Sequence, residues 1–514
     1  MNQPNGSTPI SWPLLLGLAL ATLGLHVLSS GPLAYGYASD EFYYLDSTAR
    51  LAWGYVDHPP LSIAILKLVR AVLGDSLPAL RLLPALAAAA TVVLVGLLAR
   101  ELGGGRTAQG LAGLAAAVCP VYLGVTSFYS MNAIELAMWG LAALLVARIV
   151  NTGSARLWIA LGFVLGLGLL NKISMSWFGI GLGVGLVLTS ERRWLATPGP
   201  WVSAGIALLL FVPHVVWQVE NGWPTLEFVR NATEYKMVSK SPATFAAEQF
   251  VIMHPLLTPF WLAGLAYYFL ASAGRSHRIQ GWIWLSVFFL LMFSDASRAS
   301  YLAPAYTSLL AAGGVILEQA ARGQRWRWLP ATAAAVITLG GLVTAPLALP
   351  LLPPEKYAGY ERTLRISGPV EERAEFGEMP LHYALRFGWT ELLAALEKAH
   401  ETLTPAEREQ AVVFGSWYGV TGAVNFFGPE RGLPRAIGGH NNYWLWGPGD
   451  ASGEVVLMID DDAEGLREIF ERVERVAEID CRYCMPDMNR LAIYVARGIK
   501  RPIAEVWPEL KHYR

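Results

Sequence analysis

The stretch Arg81–Arg100, RLLPALAAAATVVLVGLLAR, is apolar from one flanking arginine to the other except for Thr91. A helix of about 20 such residues crosses the hydrocarbon core of a bilayer, and comparable runs recur from Ile10 to Pro350. The 514-residue chain is 54% hydrophobic and 15% charged, whereas soluble proteins carry about 25% charged residues. The sequence therefore predicts a polytopic α-helical membrane protein, and its net charge of -1 gives no sign of nucleic-acid binding.

Hydropathy predicts about eleven transmembrane helices in residues 1–350. The first run is interpreted as a retained helix, because it lacks the basic segment and the Ala-x-Ala cleavage site of a signal peptide. The pair of spans around Asn171 is short and could instead form a re-entrant hairpin. The expected spans lie near residues 10–30, 81–100, 108–126, 131–150, 157–170, 173–190, 201–219, 251–272, 279–294, 300–319 and 328–350.

Charged residues distinguish the two sides of the predicted membrane. Cytoplasmic loops are enriched in arginine, and pairs such as Arg192 and Arg193 fall in alternate loops, whereas acids such as Asp57 fall in the others. With a cytoplasmic N-terminus, this pattern places the C-terminus outside. The two long outer loops cover residues 31–80 and residues 220–249. In the first loop, the segments 41–55 and 60–74 predict helices that lie in the membrane interface.

Residues 351–514 have the composition of a soluble protein and predict a small extracytoplasmic α/β domain. The segments 411–417, 454–460 and 490–498 are apolar and β-branched, which is typical of strands. Residues 462–478 predict a helix with acids first and bases later. Cys481 and Cys484 have C-x-x-C spacing, which is weak support for zinc and could give a disulfide outside the cytoplasm.

Adjacent acids, Asp40 and Glu41, follow the first span among several aromatic residues. Lys172 and Arg298 come at two other outer membrane edges, and a Pro-Pro turn holds His58 near the same surface. Such cations would bind a phosphate, and a carboxylate would accept a proton from an incoming hydroxyl. Alternatively, the acids are solvated or cap a helix, and Lys172 and Arg298 are anchors that snorkel to the interface.

Three segments with these residues resemble one enzyme superfamily. They are SDEFYYLDSTARLAWGYVDHPPL at 39–61, GLGLLNKISM at 166–175 and SRASYLAPAY at 297–306. They are similar to segments of the C-type glycosyltransferases that use polyprenyl-phosphate sugars, which include protein O-mannosyltransferases and the lipid A aminoarabinose transferase. The first outer loop is the most specific of the three. It departs from the family pattern at VDHPPL, where Asp57 precedes His58.

This resemblance implies the fold of the C-type (GT-C) glycosyltransferases and an inverting transfer of sugar from a polyprenyl-phosphate donor to an envelope acceptor at the outer face of a bacterial inner membrane. Asp40 would be the general base, with Glu41 as a helper or helix cap. The resemblance leaves open whether a divalent metal takes part. The implied donor contacts are Lys172, Arg298, His58 and Arg50 at the phosphate, and Tyr43, Tyr44 and Tyr301 along the donor and sugar.

Two other classes of protein remain as alternatives. A transporter or flippase would need acids near the bilayer midplane, and Glu135 is the main acid within a predicted span. A non-catalytic scaffold could display the C-terminal domain. The segment GGHNNYWLWGPG at 438–449 is either a packed, turn-rich loop or a surface that recognises the acceptor. The sugar and the acceptor are not specified by the residues.

Overall fold

The structure is a computed structural model that describes residues 8–31, 35–295, 297–366 and 368–514. Its first part is a bundle of apolar helices, and its second part is a small α/β domain that packs on one end of the bundle. The bundle helices are α1 (Trp12–Ser29), α2 (Ser39–Ser47), α3 (Leu61–Leu73), α4 (Leu77–Glu101), α5 (Arg106–Ala117), α6 (Pro120–Val125), α7 (Met131–Thr152), α8 (Arg156–Asn171), α9 (Met175–Leu188), α10 (Pro198–Glu220), α11 (Pro224–Asn231), α12 (Pro242–Ile252), α13 (Thr258–Leu270), α14 (Arg278–Met292), α15 (Tyr306–Ala320) and α16 (Leu329–Ala348).

The polytopic helical architecture predicted from the sequence is confirmed. Each of the eleven expected spans falls on helical structure. Three of them are interrupted: residues 108–126 are divided between α5 and α6, residues 251–272 between α12 and α13, and residues 300–319 begin as a 3₁₀-helix before α15. Within the described residues, 6 helices are long and apolar enough to cross a membrane, or up to 7 if the pair α12 and α13, bent by 92°, is one span. The number of eleven spans therefore stays a prediction. The short helices α8 and α9 pack mainly on different partners, α10 and α14.

The centre of the bundle is formed by α4, α5, α7 and α15, which are rich in alanine and glycine. A Cβ at Gly314 would lie 2.4 Å from the Ala108 carbonyl oxygen, so α15 can contact the α5 backbone only without a side chain there. Small residues allow this close approach, which supplies van der Waals contact where no hydrophobic effect acts between helices.

The C-terminal domain contains the strands of the described structure, in one five-stranded sheet of order β2-β1-β3-β5-β4. The strand β1 is parallel to β2 and β3, whereas β5 is antiparallel to β3 and β4. The elements are α17 (Pro354–Leu364), α18 (Leu381–Ala384), α19 (Trp389–Glu401), α20 (Pro405–Gln410), β1 (Val412–Phe414), α21 (Tyr418–Phe427), β2 (Ala436–Ile437), α22 (Asn442–Trp446), β3 (Val455–Asp460), α23 (Ala463–Ile469), β4 (Phe470–Glu478), α24 (Pro486–Arg490), β5 (Ala492–Ile499) and α25 (Ile503–Val506).

The predicted helix over residues 462–478 is wrong in its second half. The helix α23 ends at Ile469, and the chain continues from Phe470 as the edge strand β4. The backbone N–H and C=O groups of this segment form antiparallel hydrogen bonds with the free edge of β5. Pairing with a neighbouring strand outweighs helix propensity, which is only a weak preference. The three predicted strands are confirmed as β1, β3 and β5.

The two helices expected to lie in the membrane interface differ in burial. The helix α3 exposes Leu68, Val72 and Leu73, as an interfacial helix would. In contrast, α2 is buried, because α21 of the C-terminal domain covers it. The C-terminal domain and the first outer loop therefore lie on the same side of the bundle.

Candidate active site

The helix α2 presents Asp40, Tyr43 and Tyr44 on one face, because residues three and four positions apart align along a helix. The Tyr418 hydroxyl, at the start of α21, donates a hydrogen bond to Asp40 Oδ1 at 2.8 Å. A Cβ at Gly422 would lie 2.9 Å from Phe42 Cβ, so the glycine lets α21 lie directly on α2. This close packing brings Tyr418 to Asp40.

Asp40 is partly exposed, and its surroundings favour the protonated form. Burial raises the pKa of Asp40, while the Tyr418 hydrogen bond and the Lys236 charge oppose this rise. The charges of Glu372 and Asp57 raise the pKa further. A carboxylate with a raised pKa is a stronger base once ionised, as general-base catalysis requires.

Glu41 is fully buried and all of its contacts are internal. Arg81 donates to it from Nε at 3.0 Å and from Nη2 at 2.8 Å. The amides of Ala38 and Tyr129 donate at 2.8 Å each, and the Ala38 contact is the carboxylate half of a capping box. Burial alone would raise the pKa of Glu41, but the charge and hydrogen bonds of Arg81, with Arg386 and the Tyr129 amide, hold it below its usual value.

The Pro-Pro turn places Asp57 and His58 against the aromatic face of α2. The Tyr43 hydroxyl donates to Asp57 Oδ1 at 2.8 Å, and the His58 ring stacks on Tyr44 with centroids 4.9 Å apart. His58 Nδ1 lies 3.0 Å from the Pro59 carbonyl oxygen. His58 Nε2 is buried without a hydrogen-bond partner among the described residues and lies 4.0 Å from Asp57 Oδ1.

Lys172 lies where the chain leaves α8 in an extended conformation before α9 begins. Its Nζ donates to Asn132 Oδ1 at 2.7 Å and to Glu135 Oε2 at 2.8 Å. Glu135, the acid noted within a predicted span, is therefore the counter-ion of Lys172 and lies near the start of α7. An unpaired charge at this depth would be costly.

Lys172 and Arg298 converge on the ring of Tyr301. Lys172 Nζ lies 4.9 Å from the ring centroid, and Arg298 Cζ lies 5.8 Å from it. Arg298 Nε is buried without a hydrogen-bond partner within the described chain. Two cations from distant segments thus face one aromatic ring, an arrangement that suits an anionic group between them.

A short segment after the bundle, Glu371–Arg373, crosses this site and is called the strap here. Glu372 pairs with Arg298 and lies 3.9 Å from Lys236 Nζ. The strap is held by the Arg373 amide, which donates to the Lys236 carbonyl at 2.8 Å. The carboxylate of Glu372 occupies the position at Arg298 that another anion would need.

The start of α7 joins the face of α2 to the two cations. The Met131 amide donates to the Tyr44 hydroxyl at 3.4 Å, and the next residue, Asn132, holds Lys172. On the other side, Glu372 is the partner of Arg298 and also acts on the pKa of Asp40. Lys172 is therefore linked to the Asp40 helix through the start of α7, and Arg298 pairs with an acid whose charge acts on Asp40.

Arg50 lies apart from that cluster. Its guanidinium carbon is 4.8 Å from the ring centroid of Trp446 in the C-terminal domain. No contact in the described structure joins Arg50 to Lys172 or Arg298. Of the residues expected to line the donor, Tyr43 and Tyr44 are buried, and Tyr301 lies between the two cations.

The described residues contain no group of three or more His, Cys, Asp or Glu side chains arranged to hold a metal ion. Cys481 and Cys484 are both buried and carry free thiols. The expected role of a metal at the site stays open.

Comparison with known proteins agrees with the resemblance stated from the sequence. The family model described as dolichyl-phosphate-mannose-protein mannosyltransferase matches residues 57–217. ArnT from Cupriavidus metallidurans bound to undecaprenyl phosphate has a TM-score of 0.60 at 15% identity, over 94% of this chain and 97% of that chain. The chain has the fold of the C-type glycosyltransferases.

Two further solved structures have this GT-C fold. ArnT from the same organism in the apo state gives a TM-score of 0.56 at 16% identity, over 94% of this chain and 97% of that chain. The oligosaccharyltransferase of Archaeoglobus fulgidus, tethered with an acceptor peptide, gives 0.50 at 14% identity, over 78% of this chain and 62% of that chain. No curated protein sequence matches the chain.

Several residues of the candidate site were not foreseen from the sequence. They come from the C-terminal domain or from later loops, and they are Tyr418, Asn442, Lys236 and Glu372. No short motif marks any of them except Asn442. Asn442 lies in the segment 438–449, where its side chain accepts from the Val56 amide at 2.9 Å and donates to the Tyr43 hydroxyl. The part of the segment around Asn442 is therefore a packed loop, and its contacts with Val56 and Tyr43 hold the turn that contains Asp57.

Proposed function

We propose that this protein is a membrane glycosyltransferase that moves a sugar from a polyprenyl-phosphate donor to an envelope acceptor, with inversion at the anomeric carbon. The relatives are glycosyltransferases, and one of them is bound to undecaprenyl phosphate. The observation that carries the proposal is the convergence of Lys172 and Arg298 on Tyr301, beside a carboxylate whose pKa is raised.

In the proposed reaction, Asp40 accepts the proton of an acceptor hydroxyl. The hydroxyl oxygen forms a bond to the anomeric carbon, and the bond from that carbon to the phosphate oxygen breaks with its electron pair. Lys172 and Arg298 then stabilise the negative charge that develops on the lipid phosphate. Preorganised cations directed at developing charge are the main source of such catalysis.

Glu41 has a supporting role in this proposal. Its four contacts with Arg81, Ala38 and Tyr129 orient the first turn of α2 and leave no site for an acceptor proton. His58 Nδ1 donates to the Pro59 carbonyl oxygen, so Nε2 of the neutral ring is an acceptor, and only the imidazolium form of His58 would donate to the donor phosphate from Nε2. Tyr43 and Tyr44 support Asp57 and His58 from behind, and Tyr301 positions the two cations.

We assign the transfer chemistry to residues 1–350 and the covering domain to residues 351–514. Both act on the outer face of a bacterial inner membrane in this proposal. The arginine-rich loops support that orientation. Polyprenyl-phosphate head groups lie at the lipid–water boundary, and the cover provided by α21 would limit hydrolysis of the donor.

The test is a comparison of envelope glycans, by mass spectrometry, from a deletion strain complemented with the wild-type gene or with Asp40→Asn. The wild type should restore a glycan modification that Asp40→Asn does not restore. Asp75→Asn serves as the matched control, because Asp75 is an exposed carboxylate of the same loop whose ion-pair partner is the half-buried Arg70.

Normal glycans in cells that express Asp40→Asn at the wild-type level would refute the assignment of the base. Substrate-dependent flux through proteoliposomes that contain the purified protein, without sugar transfer, would favour the transporter alternative instead.

A further inference from the structure

A second recess lies on the other side of α2, between the end of this helix and the C-terminal domain. Its volume is about 350 Å³, within the range of about 300–1,000 Å³ that is typical of small-molecule sites. It is lined by Asp46 and Arg50 from the first outer loop and by Asn425, Tyr443 and Trp446 from the C-terminal domain. It is called the outer cavity here.

The acidic side of the outer cavity is held in place by a chain of hydrogen bonds. Asn425 Nδ2 donates to Asp46 Oδ2 at 2.8 Å. Asn425 is itself fixed by the Ala436 amide, which donates to its Oδ1 at 2.8 Å, and by the Ala436 carbonyl. The Asp46 carboxylate has further lone pairs that can accept from a ligand, and a fixed carboxylate is a strong acceptor for hydroxyl groups.

The basic side carries an unpaired guanidinium above an aromatic ring. Arg50 lies 4.8 Å from the centroid of Trp446, and it forms no ion pair with a carboxylate in the described chain. Stacking on the indole pre-organises the planar fork and leaves its N–H groups free to donate. Trp446 is only partly buried, so part of its ring faces the cavity.

Tyr443 forms the inner wall. It is 4% exposed, and its hydroxyl is directed at the Asp46 carboxylate. The two groups form one polar wall of the cavity, to which the hydroxyl groups of a ligand can form hydrogen bonds.

We infer that the outer cavity binds a saccharide of the acceptor. A rigid carboxylate, a free guanidinium and an aromatic wall match the two sides of a sugar, since its hydroxyls form hydrogen bonds and its C–H face packs on a ring. That the saccharide belongs to the acceptor rests on the proposed function. That the cavity binds a saccharide does not depend on the proposed function.

The position of the cavity fits an acceptor that extends past the transferred sugar. Asp40 and Asp46 belong to the same helix and are about 9 Å apart along its axis. Tyr443 also packs against Tyr43, with ring centroids 5.9 Å apart, so the outer cavity and the Asp40 face share one wall. A saccharide bound at Arg50 could therefore place a further residue of the same glycan near Asp40.

The test uses the purified full-length protein in detergent, labelled with a fluorophore, on an array of neutral and acidic bacterial saccharides. Wild type should retain one class of saccharide. Trp446→Ala should weaken that retention about tenfold, as expected for the loss of a stacking surface. Arg50→Gln is the second variant, because Arg50 is exposed and its replacement leaves the core unchanged. Arg472→Gln, on the exposed edge strand, is the matched control.

Equal retention by wild type, Trp446→Ala and Arg50→Gln, or no retention by wild type, would overturn the inference. Binding of undecaprenyl phosphate to the same preparations distinguishes the two proposals. Arg50→Gln should leave lipid binding unchanged, whereas Lys172→Gln should weaken it without altering saccharide retention. Unchanged lipid binding in Lys172→Gln would count against the proposed function and leave the saccharide site standing.

Discussion

Asp40 and Glu41 are neighbours in the chain and lie in two regions with opposite chemistry. The region around Glu41 is a closed core, where Arg81 and two backbone amides satisfy the carboxylate. The region around Asp40 is a half-open site, where Tyr418 supplies one hydrogen bond and the nearby acids raise the pKa.

The difference follows from the geometry of α2. Successive residues of a helix point about 100° apart, so adjacent acids cannot face the same surroundings. One carboxylate thereby holds the helix in place, and the other is left partly exposed, as the proposed base requires. The following predictions test this division, from the largest expected effect to the smallest.

Replacement of Asp40 by Asn should abolish most transfer and leave folding intact. General-base catalysis contributes about 10²–10⁴-fold to a rate, so we expect a loss of that order in sugar transfer from a polyprenyl-phosphate donor. The thermal unfolding midpoint should stay at the wild-type value, because Asp40 has one side-chain hydrogen bond. A large drop in that midpoint would mean that both acids are structural.

Replacement of Glu41 by Ala should have the opposite outcome. It leaves Arg81 charged and buried without its partner, and breaking a buried ion pair in this way costs about 3–5 kcal/mol of stability. Thermal unfolding in detergent, followed by circular dichroism, should show a lower midpoint and less folded protein. Asp40→Asn in the same assay is the matched control. A stable but inactive Glu41→Ala protein would indicate a chemical role for Glu41.

Replacement of Lys172 by Gln should weaken binding of undecaprenyl phosphate. A charge-assisted hydrogen bond contributes about 1.5–3 kcal/mol, which corresponds to about a 10- to 100-fold increase in Kd. Titration of the lipid phosphate into protein in nanodiscs would measure it. Lys67→Gln is the control, because Lys67 is an exposed lysine on the interfacial helix α3. Equal losses in both variants would mean that Lys172 is only an anchor.

Replacement of Tyr418 by Phe should move the pH dependence of transfer. The Tyr418 hydrogen bond lowers the pKa of Asp40, so its removal should raise that pKa further. Because the base must be ionised, the acid limb of the kcat/KM profile should shift toward higher pH. In the wild type, the apparent pKa of this acid limb should already be higher than the ordinary Asp pKa of about 3.9. A limb that does not move would argue that another group sets the profile.

Replacement of Glu372 by Gln should have the smallest effect, and in the favourable direction. The carboxylate competes with the donor phosphate for Arg298, so its neutralisation should tighten undecaprenyl phosphate binding about two- to fivefold, as expected for a partly exposed ion pair. Glu375→Gln, an exposed acid that follows the strap, is the control. Weaker binding in Glu372→Gln would show that the strap holds Arg298 in place.

The sequence by itself determined the membrane class and the position of the apolar helices, and it singled out the candidate site residues. Long apolar runs leave the backbone no alternative to helix in a bilayer, which is why each expected span falls on helical structure, even where it is interrupted. Asp40, Lys172 and Arg298 were recognisable because each follows or precedes such a run. The same reasoning failed at residues 470–478, where the partner strand β5 decides the structure.

Only the tertiary structure decided how these residues divide between two sites. Local patterns cannot report that α21 lies on α2, because the contact depends on Gly422 and Phe42, which are far apart in the chain. For the same reason, sequence placed Arg50 with the donor phosphate, whereas the fold sets it beside Trp446. Hydropathy acts along the chain and fixes the helices, but only three-dimensional packing brings distant charges into contact.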